Sequence, residues 1–212
     1  MIIDLDGGRF VERGYYFPTH TDVGAIKTAI LKAGRNGIDD LCTEVVNDYG
    51  CVGLSNTLVE QICSTARTHL GCPDARVVIV GSAKVGCKLI SNDATRPRYS
   101  GFSEQSDIDC AVISSPFFDQ IWEDAFSAAT KSRPWHIRHR LDPFIFKGWL
   151  RPDKLDFGST WRAHWFDAVA AVNRDVCPEL KLSAGLYKGD AFLLRYQMEA
   201  FRVALRNLEL GE

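Results

Sequence analysis

The sequence predicts a mixed α/β domain. Three observations carry that prediction. Arg76-Val-Val-Ile-Val80 is a β-branched run of strand length, and Asp107-Ile-Asp-Cys-Ala-Val-Ile113 is a second. Helical apolar periodicity flanks both runs, which is the pattern of helices packed on a sheet. The bulk composition agrees. The chain has 212 residues, 46% hydrophobic and 25% charged, with a net charge of -2. Enough apolar surface is present to build a core, so disorder is excluded. The near-neutral charge excludes a grip on nucleic acid by the whole molecule, though not by a local patch.

The elements are expected in this order. Ile2–Leu5 and Arg9–Phe17 flank Gly7-Gly8, which suggests a β-hairpin ended by Pro18. Val23, Ile26, Ile30 and Leu31 fall on one helical face, with Thr21-Asp22 as cap. Ile38, Leu41, Val45 and Val46 form a second face. Leu58, Ile62, Ala66 and Leu70 form a third, capped by Ser55. Pro73 closes this framework, residues 1–72, and residues 73–212 form the core of a single domain. After the strand at 76–80 a short helix is expected from Ala83, then a polar loop over 91–106. Beyond the strand at 107–113, Pro116 to Ala129 reads as a helix whose face is Phe118, Ile121, Trp122 and Phe126. Trp161 to Val172 is another helix. Leu180 to Tyr187 reads as a third strand, and Asp190 to Leu208 as a terminal helix facing inward through Leu193, Leu194, Met198, Phe201 and Leu205.

The purely apolar runs reach about five residues, against the roughly 20 a membrane helix needs. With no secretory pattern at the first residues, a cytoplasmic protein without membrane contact is expected. Seven cysteines, an odd count with no C-x-x-C, argue for buried free thiols and against a disulfide framework or a zinc site.

One constellation carries chemistry. A strand ends in Gly81-Ser82, and Ser106-Asp107-Ile108-Asp109 opens the next. Residues i and i+2 of a strand share a face, so the two carboxylates point the same way, about 7 Å apart. Such a pair is unfavourable unless solvated or neutralised by a cation. Oxygen ligands favour Mg²⁺ or Mn²⁺ over zinc. Gly81 lets a phosphate approach the backbone, Ser82 adds a hydroxyl donor at a helix start, and Lys84 and Lys88 add charge.

Val80-Gly81-Ser82 with Ser106-Asp107-Ile108-Asp109-Cys110-Ala111-Val112 resembles the signature of the polymerase-β-like nucleotidyltransferase superfamily. The resemblance covers about residues 55–113. Gly81-Ser-Ala-Lys-x-Gly86 is most similar to members from prokaryotic conflict and defence systems. The resemblance implies a mixed sheet flanked by helices, with Asp107 and Asp109 as catalytic metal ligands. Gly81, Ser82, Lys84 and Lys88 would hold the triphosphate. The implied reaction is Mg²⁺-dependent transfer of a nucleoside monophosphate from a nucleoside triphosphate to a hydroxyl, releasing pyrophosphate. The acceptor would be a nucleotide, a nucleic-acid end, a protein hydroxyl or a small molecule. A nucleotide signal in anti-phage defence, a partner effector protein and a homo-oligomer fit the same resemblance.

The chain departs from that pattern in two places. The loop at 91–106 is long, and its Arg96 and Arg98 are placed to meet substrate. Active members have a third acid on a later strand, where this chain offers Lys181 and Ser183. Asp142, Asp153, Asp156, Glu179 and Asp190 are the other candidates. The alternative function is therefore a nucleotide-binding module with a reduced metal site, such as a sensor or antitoxin component.

Three further features have plainer readings. Residues 131–154 carry seven basic side chains against Asp142 and Asp153, locally about +5, interleaved with Trp135, Phe144, Phe146 and Trp149. This segment either grips a polyanion or is a solvated connection. His136 and His139 share a helical face without a third ligand, so a surface or phosphate-contact role is expected. Asp4-Leu5-Asp6-Gly7 is similar to the aspartate motif of haloacid-dehalogenase phosphatases, but its surroundings read as a hairpin.

Overall fold

The computed structural model describes residues 9–11, 14–17, 20–47, 50–91, 95–131, 144–155 and 160–211. Strand β1 (Arg9–Val11) pairs antiparallel with β2 (Tyr15–Phe17). The stretch expected to be one arm of a hairpin thus folds back on itself. Gly14 makes this possible at the turn, because its φ of 89° is open chiefly to glycine. The pair is anchored to the segment before the next helix by Tyr16 N–H to the Gly53 carbonyl (2.8 Å) and Ser55 N–H to the Gly14 carbonyl (2.7 Å). Gly7-Gly8, Pro18, the Asp4-Asp6 motif, Asp142, Asp156, His136, His139 and the basic residues Arg133, Arg138 and Arg140 lie outside the described residues.

Helix α1 (His20–Asn47) contains both expected faces, divided by a kink at Gly34, whose φ is 59°. Asp22 is therefore in its first turn, where it is buried, and is not its cap. Helix α2 (Asn56–Leu70) is capped as expected, with Ser55 Oγ accepting from Leu58 N–H at 3.2 Å. Strand β3 (Arg76–Val80) runs directly into the single-turn helix α3 (Gly81–Val85), two residues earlier than expected. The rest follows as β4 (Ile108–Ile113), α4 (Ser115–Lys131), β5 (Trp149–Leu150), a 3-10 turn at Pro152–Lys154, α5 (Thr160–Asp175), β6 (Leu182–Tyr187) and α6 (Asp190–Glu209).

The mixed α/β class is as the sequence predicts. Four strands form one sheet in the order β3-β4-β6-β5. β4 runs parallel to β6, and β3 and β5 are antiparallel to their neighbours. Side-chain alternation gives each face its own core. Ile79, Ile108, Cys110, Val112, Leu182 and Leu186 face α2, α4 and α5, among Ile62, Phe117, Phe118, Ile121 and Trp165. Val80, Ala111, Ile113 and Tyr187 face α1 and α6, among Ile26, Ile30, Phe201 and Leu205. Ion pairs Arg35–Glu209 (2.8 Å) and Arg202–Asp39 tie α1 to α6.

Two expected faces and one expected cap differ. On α4, Phe117 is buried with Phe118 and Ile121, while Trp122 and Phe126 are exposed. On α1, Leu31 is exposed. At α6 the cap is Gly189, and Asp190 is the first helical residue, paired with Arg76. All seven cysteines are free thiols, five of them buried. Burial pushes the thiol of Cys42 up to about 12, which leaves it protonated and inert. Among the described residues no helix is long and apolar enough to cross a membrane.

Candidate functional site at the edge of the sheet

A cleft of about 440 Å³ opens where the carboxyl end of β3 meets the start of β4. Its size is that of a site for a small organic ligand. The register explains how the two halves of the sequence motif meet. β3 and β4 are antiparallel, so the last residue of one, Val80, lies opposite Asp109 near the start of the other. Gly81, Ser82, Asp107 and Asp109 consequently line one wall, with Lys88 beside them.

Gly81 is required by this geometry. Its φ is 66°, and a Cβ there would come within 2.5 Å of Asp109 Oδ2 and 3.1 Å of Asp109 Cβ. The missing side chain is the space the Asp109 carboxylate occupies. Helix α3 is only one turn long, so its dipole is small, and the donors here are the Ser82 hydroxyl and local amides. Asp107 is exposed and Asp109 half-buried. Burial is the main force on Asp109, and Asp107 adds to it; together they push its carboxyl up to about 6. Arg151, Lys88 and Arg96 oppose that rise.

Two of those cations are held in place by protein acceptors. Arg96 donates to the Gln105 carbonyl (2.8 Å) and to Ser106 Oγ (2.8 Å). Arg151 forms a fork with Asp153, at 2.8 and 2.9 Å. The expected polar loop is well tethered. Lys88 N–H donates to the Ser100 carbonyl at 2.9 Å, and Tyr99 N–H donates to the Lys88 carbonyl at 2.7 Å. The Tyr99 hydroxyl donates to the Ala204 carbonyl of α6 at 2.9 Å. Arg96 is thereby presented to the cleft from a braced hairpin, because Tyr99 is locked both locally and onto α6.

Lys84 does not line the cleft. It is buried on the far side of α3, where its charge acts on Cys51. A different cation, Arg151, lines the cleft instead, and the sequence left it inside a basic segment of undecided role. The signal was the Trp149-x-Arg151 spacing, since i and i+2 of extended backbone reach the same face, and Arg151 just past β5 is still extended.

The question of the third acid is resolved in part by register. Ser183 is the β6 residue directly beside Asp109. Asp153 is engaged by Arg151 and Lys154, Asp190 by Arg76, and Glu179 accepts from the Tyr15 hydroxyl at 3.4 Å. Among the described residues no three acid, histidine or cysteine side chains are grouped as a metal cage. Comparison with protein-family models, with curated proteins and with solved structures finds no match.

Proposed function

We propose that this protein is a Mg²⁺- or Mn²⁺-dependent nucleotidyltransferase acting on a nucleoside triphosphate. The observation that carries the reading is the convergence of Gly81-Ser82, Asp107 and Asp109 with Lys88, Arg96 and Arg151 in one cleft. Two carboxylates and three cations side by side suit a cation-bridged polyphosphate better than any neutral ligand.

The donor set fits one hard divalent ion, held by Asp107 and Asp109 with substrate oxygens completing its shell. When bound, that ion supplies positive charge at the reacting phosphate. The chain's own residues do the remaining work. Ser82 donates to a phosphate oxygen, and Lys88, Arg96 and Arg151 neutralise the outer phosphates. The acceptor hydroxyl oxygen attacks the α-phosphorus and loses its proton to solvent water, the bond to the β-phosphate oxygen breaks, and pyrophosphate leaves with the negative charge those cations stabilise. Positioning and electrostatics supply most of the rate.

The test is incubation with each ribo- and deoxyribonucleoside triphosphate and Mg²⁺ or Mn²⁺, with chromatography of the products. Metal-dependent pyrophosphate release that is lost in Asp107→Ala is expected. A second reading is favoured by one observation, Ser183 standing beside Asp109 where an acid is needed for a second ion. In that case the protein binds nucleotide without turnover, and no acceptor yields pyrophosphate.

Arg151→Met separates the two kinds of charge. Losing a charge-assisted contact to phosphate weakens triphosphate binding by about 10-fold or more. Binding of free Mn²⁺ to the carboxylate pair does not weaken, because a nearby repelling cation is gone. Calorimetric titration of each ligand checks both signs, and weaker Mn²⁺ binding contradicts the assignment.

A further inference from the structure

The cleft has a second end that phosphate chemistry does not use. Ser183, Gly185 and Tyr187 lie on the same face of β6, and all three line the cleft. Tyr187 stands four residues beyond Ser183, about 13 Å along the strand from the Asp109 position. Between them Gly185 has no side chain, and the Tyr187 ring lies over it, 3.4 Å from where a Cβ would stand, so the aromatic wall reaches back toward the carboxylate pair. At Tyr187 the wall becomes aromatic. Trp149 of β5 lies 6.5 Å from the Tyr187 ring, and Tyr196 of α6 lies 5.2 Å from Trp149 and 6.0 Å from Tyr187.

One polar group completes this end. Gln197 is only 9% exposed and lines the cleft. It occupies an apolar register of α6, four residues from Leu193 and four from Phe201, both nearly fully buried. A glutamine on such a stripe usually finds a partner. Gln197 forms no side-chain hydrogen bond or ion pair with another described residue, and its amide borders the open volume. The Trp149 indole N–H on the same wall also lacks an acceptor.

We infer that this end is a nucleobase subsite in which Trp149 and Tyr196 supply stacking surface and the Gln197 amide reads the Hoogsteen edge of the base, favouring adenine. An amide presents one acceptor and one donor side by side. On the Hoogsteen edge adenine offers the complement, the N6 donor beside the N7 acceptor, whereas guanine presents two acceptors there and the pyrimidines have no such pair. Stacking surface accepts any base, so selection falls to Gln197. Leaving a buried amide unpaired against the wrong base is what creates discrimination. This inference rests on the triphosphate reading of the cleft and adds its base specificity.

The test is calorimetric titration, with Mg²⁺ present, of non-hydrolysable α,β-methylene triphosphates of the four bases and of inorganic tripolyphosphate. The wild type is expected to bind every nucleotide about 10-fold or more tighter than tripolyphosphate, and the adenine nucleotide about 10-fold tighter than the others. Gln197→Met keeps the side chain's length and removes only the amide. It is expected to erase the base preference and leave tripolyphosphate binding unchanged. Trp149→Leu, with its fold checked by circular dichroism, is expected to narrow the gap between nucleotides and tripolyphosphate. A guanine or pyrimidine preference overturns the inference, as does an adenine preference that survives Gln197→Met. Equal binding of tripolyphosphate and all nucleotides overturns it too, but leaves the cleft as a polyphosphate site. No binding by any of these ligands overturns this inference and the triphosphate reading together.

Discussion

Asp109→Asn is expected to abolish turnover while making the protein more stable. The carboxylate lies between Val80 and Ser183 on the sheet and is half-buried against Asp107. Burial and Asp107 raise its carboxyl to about 6, from an ordinary value near 3.8. The raised value means that folding disfavours the ionised form. The penalty is absent below about pH 4, where the group is protonated in both folded and unfolded chains. It grows as pH rises from about 4 to about 6, and is complete above that. At neutral pH it amounts to about 3 kcal/mol at most. A neutral amide of the same shape avoids it, so Tm rises by roughly 5 °C at pH 7 and hardly at all at pH 4. Mn²⁺ raises the Tm of the wild type and not of the variant, because a bound cation relieves the same repulsion. On the proposed nucleotidyltransferase reading, in which Asp109 is a metal ligand, turnover falls by at least about 10³-fold. Thermal melts at pH 4 and pH 7, with and without Mn²⁺, read the whole pattern. A variant no more stable than wild type at pH 7 refutes the electrostatic account of Asp109.

Gly81→Ala is expected to damage the site through space and not through charge. At φ 66° a β-carbon is strained by about 1–2 kcal/mol wherever it occurs. Here it also falls within 2.5 Å of Asp109 Oδ2, so the carboxylate must rotate out of the cleft. On the same proposed reading, a displacement of that size lowers turnover by about 10²-fold. The double variant distinguishes the two contributions. In an Asp109→Ala background the 2.5 Å contact with the carboxylate is gone and only the 3.1 Å approach to the Cβ and the backbone strain remain, so Gly81→Ala destabilises less than it does in the wild type. Additive stability effects in this cycle mean that Gly81 is needed for its backbone angle alone.

How much of this was legible in the chain differs from element to element. Strands β3, β4 and β6 and helices α2 and α6 were readable within one or two residues, because each is a periodic apolar run and period depends on local geometry alone. The turn at Gly14, inside the expected arm Arg9–Phe17, was missed because a single glycine within an apolar run reads as strand until pairing makes it a turn. Trp122 and Phe126 were assigned inward because an apolar residue looks the same whether a neighbour covers it or not. Helix α4 turns Phe117 inward instead, to pack against Trp161 and Trp165 of α5.

The candidate site divides in the same way. The sequence by itself determined the paired motif, Gly81-Ser82 with Asp107 and Asp109, because each half is a local spacing at a strand end. It also determined that the strand after it supplies Ser183 and no acid. Only the tertiary structure decided that Lys84 is buried away from the cleft while Arg151 enters it. Only the structure brought Trp149, Tyr187, Tyr196 and Gln197 to one wall. The physical reason is that a sheet register and a helix rotation are set by packing over the whole core. Residues from β5, β6 and α6, more than 40 positions apart from first to last, become neighbours only once that packing is complete.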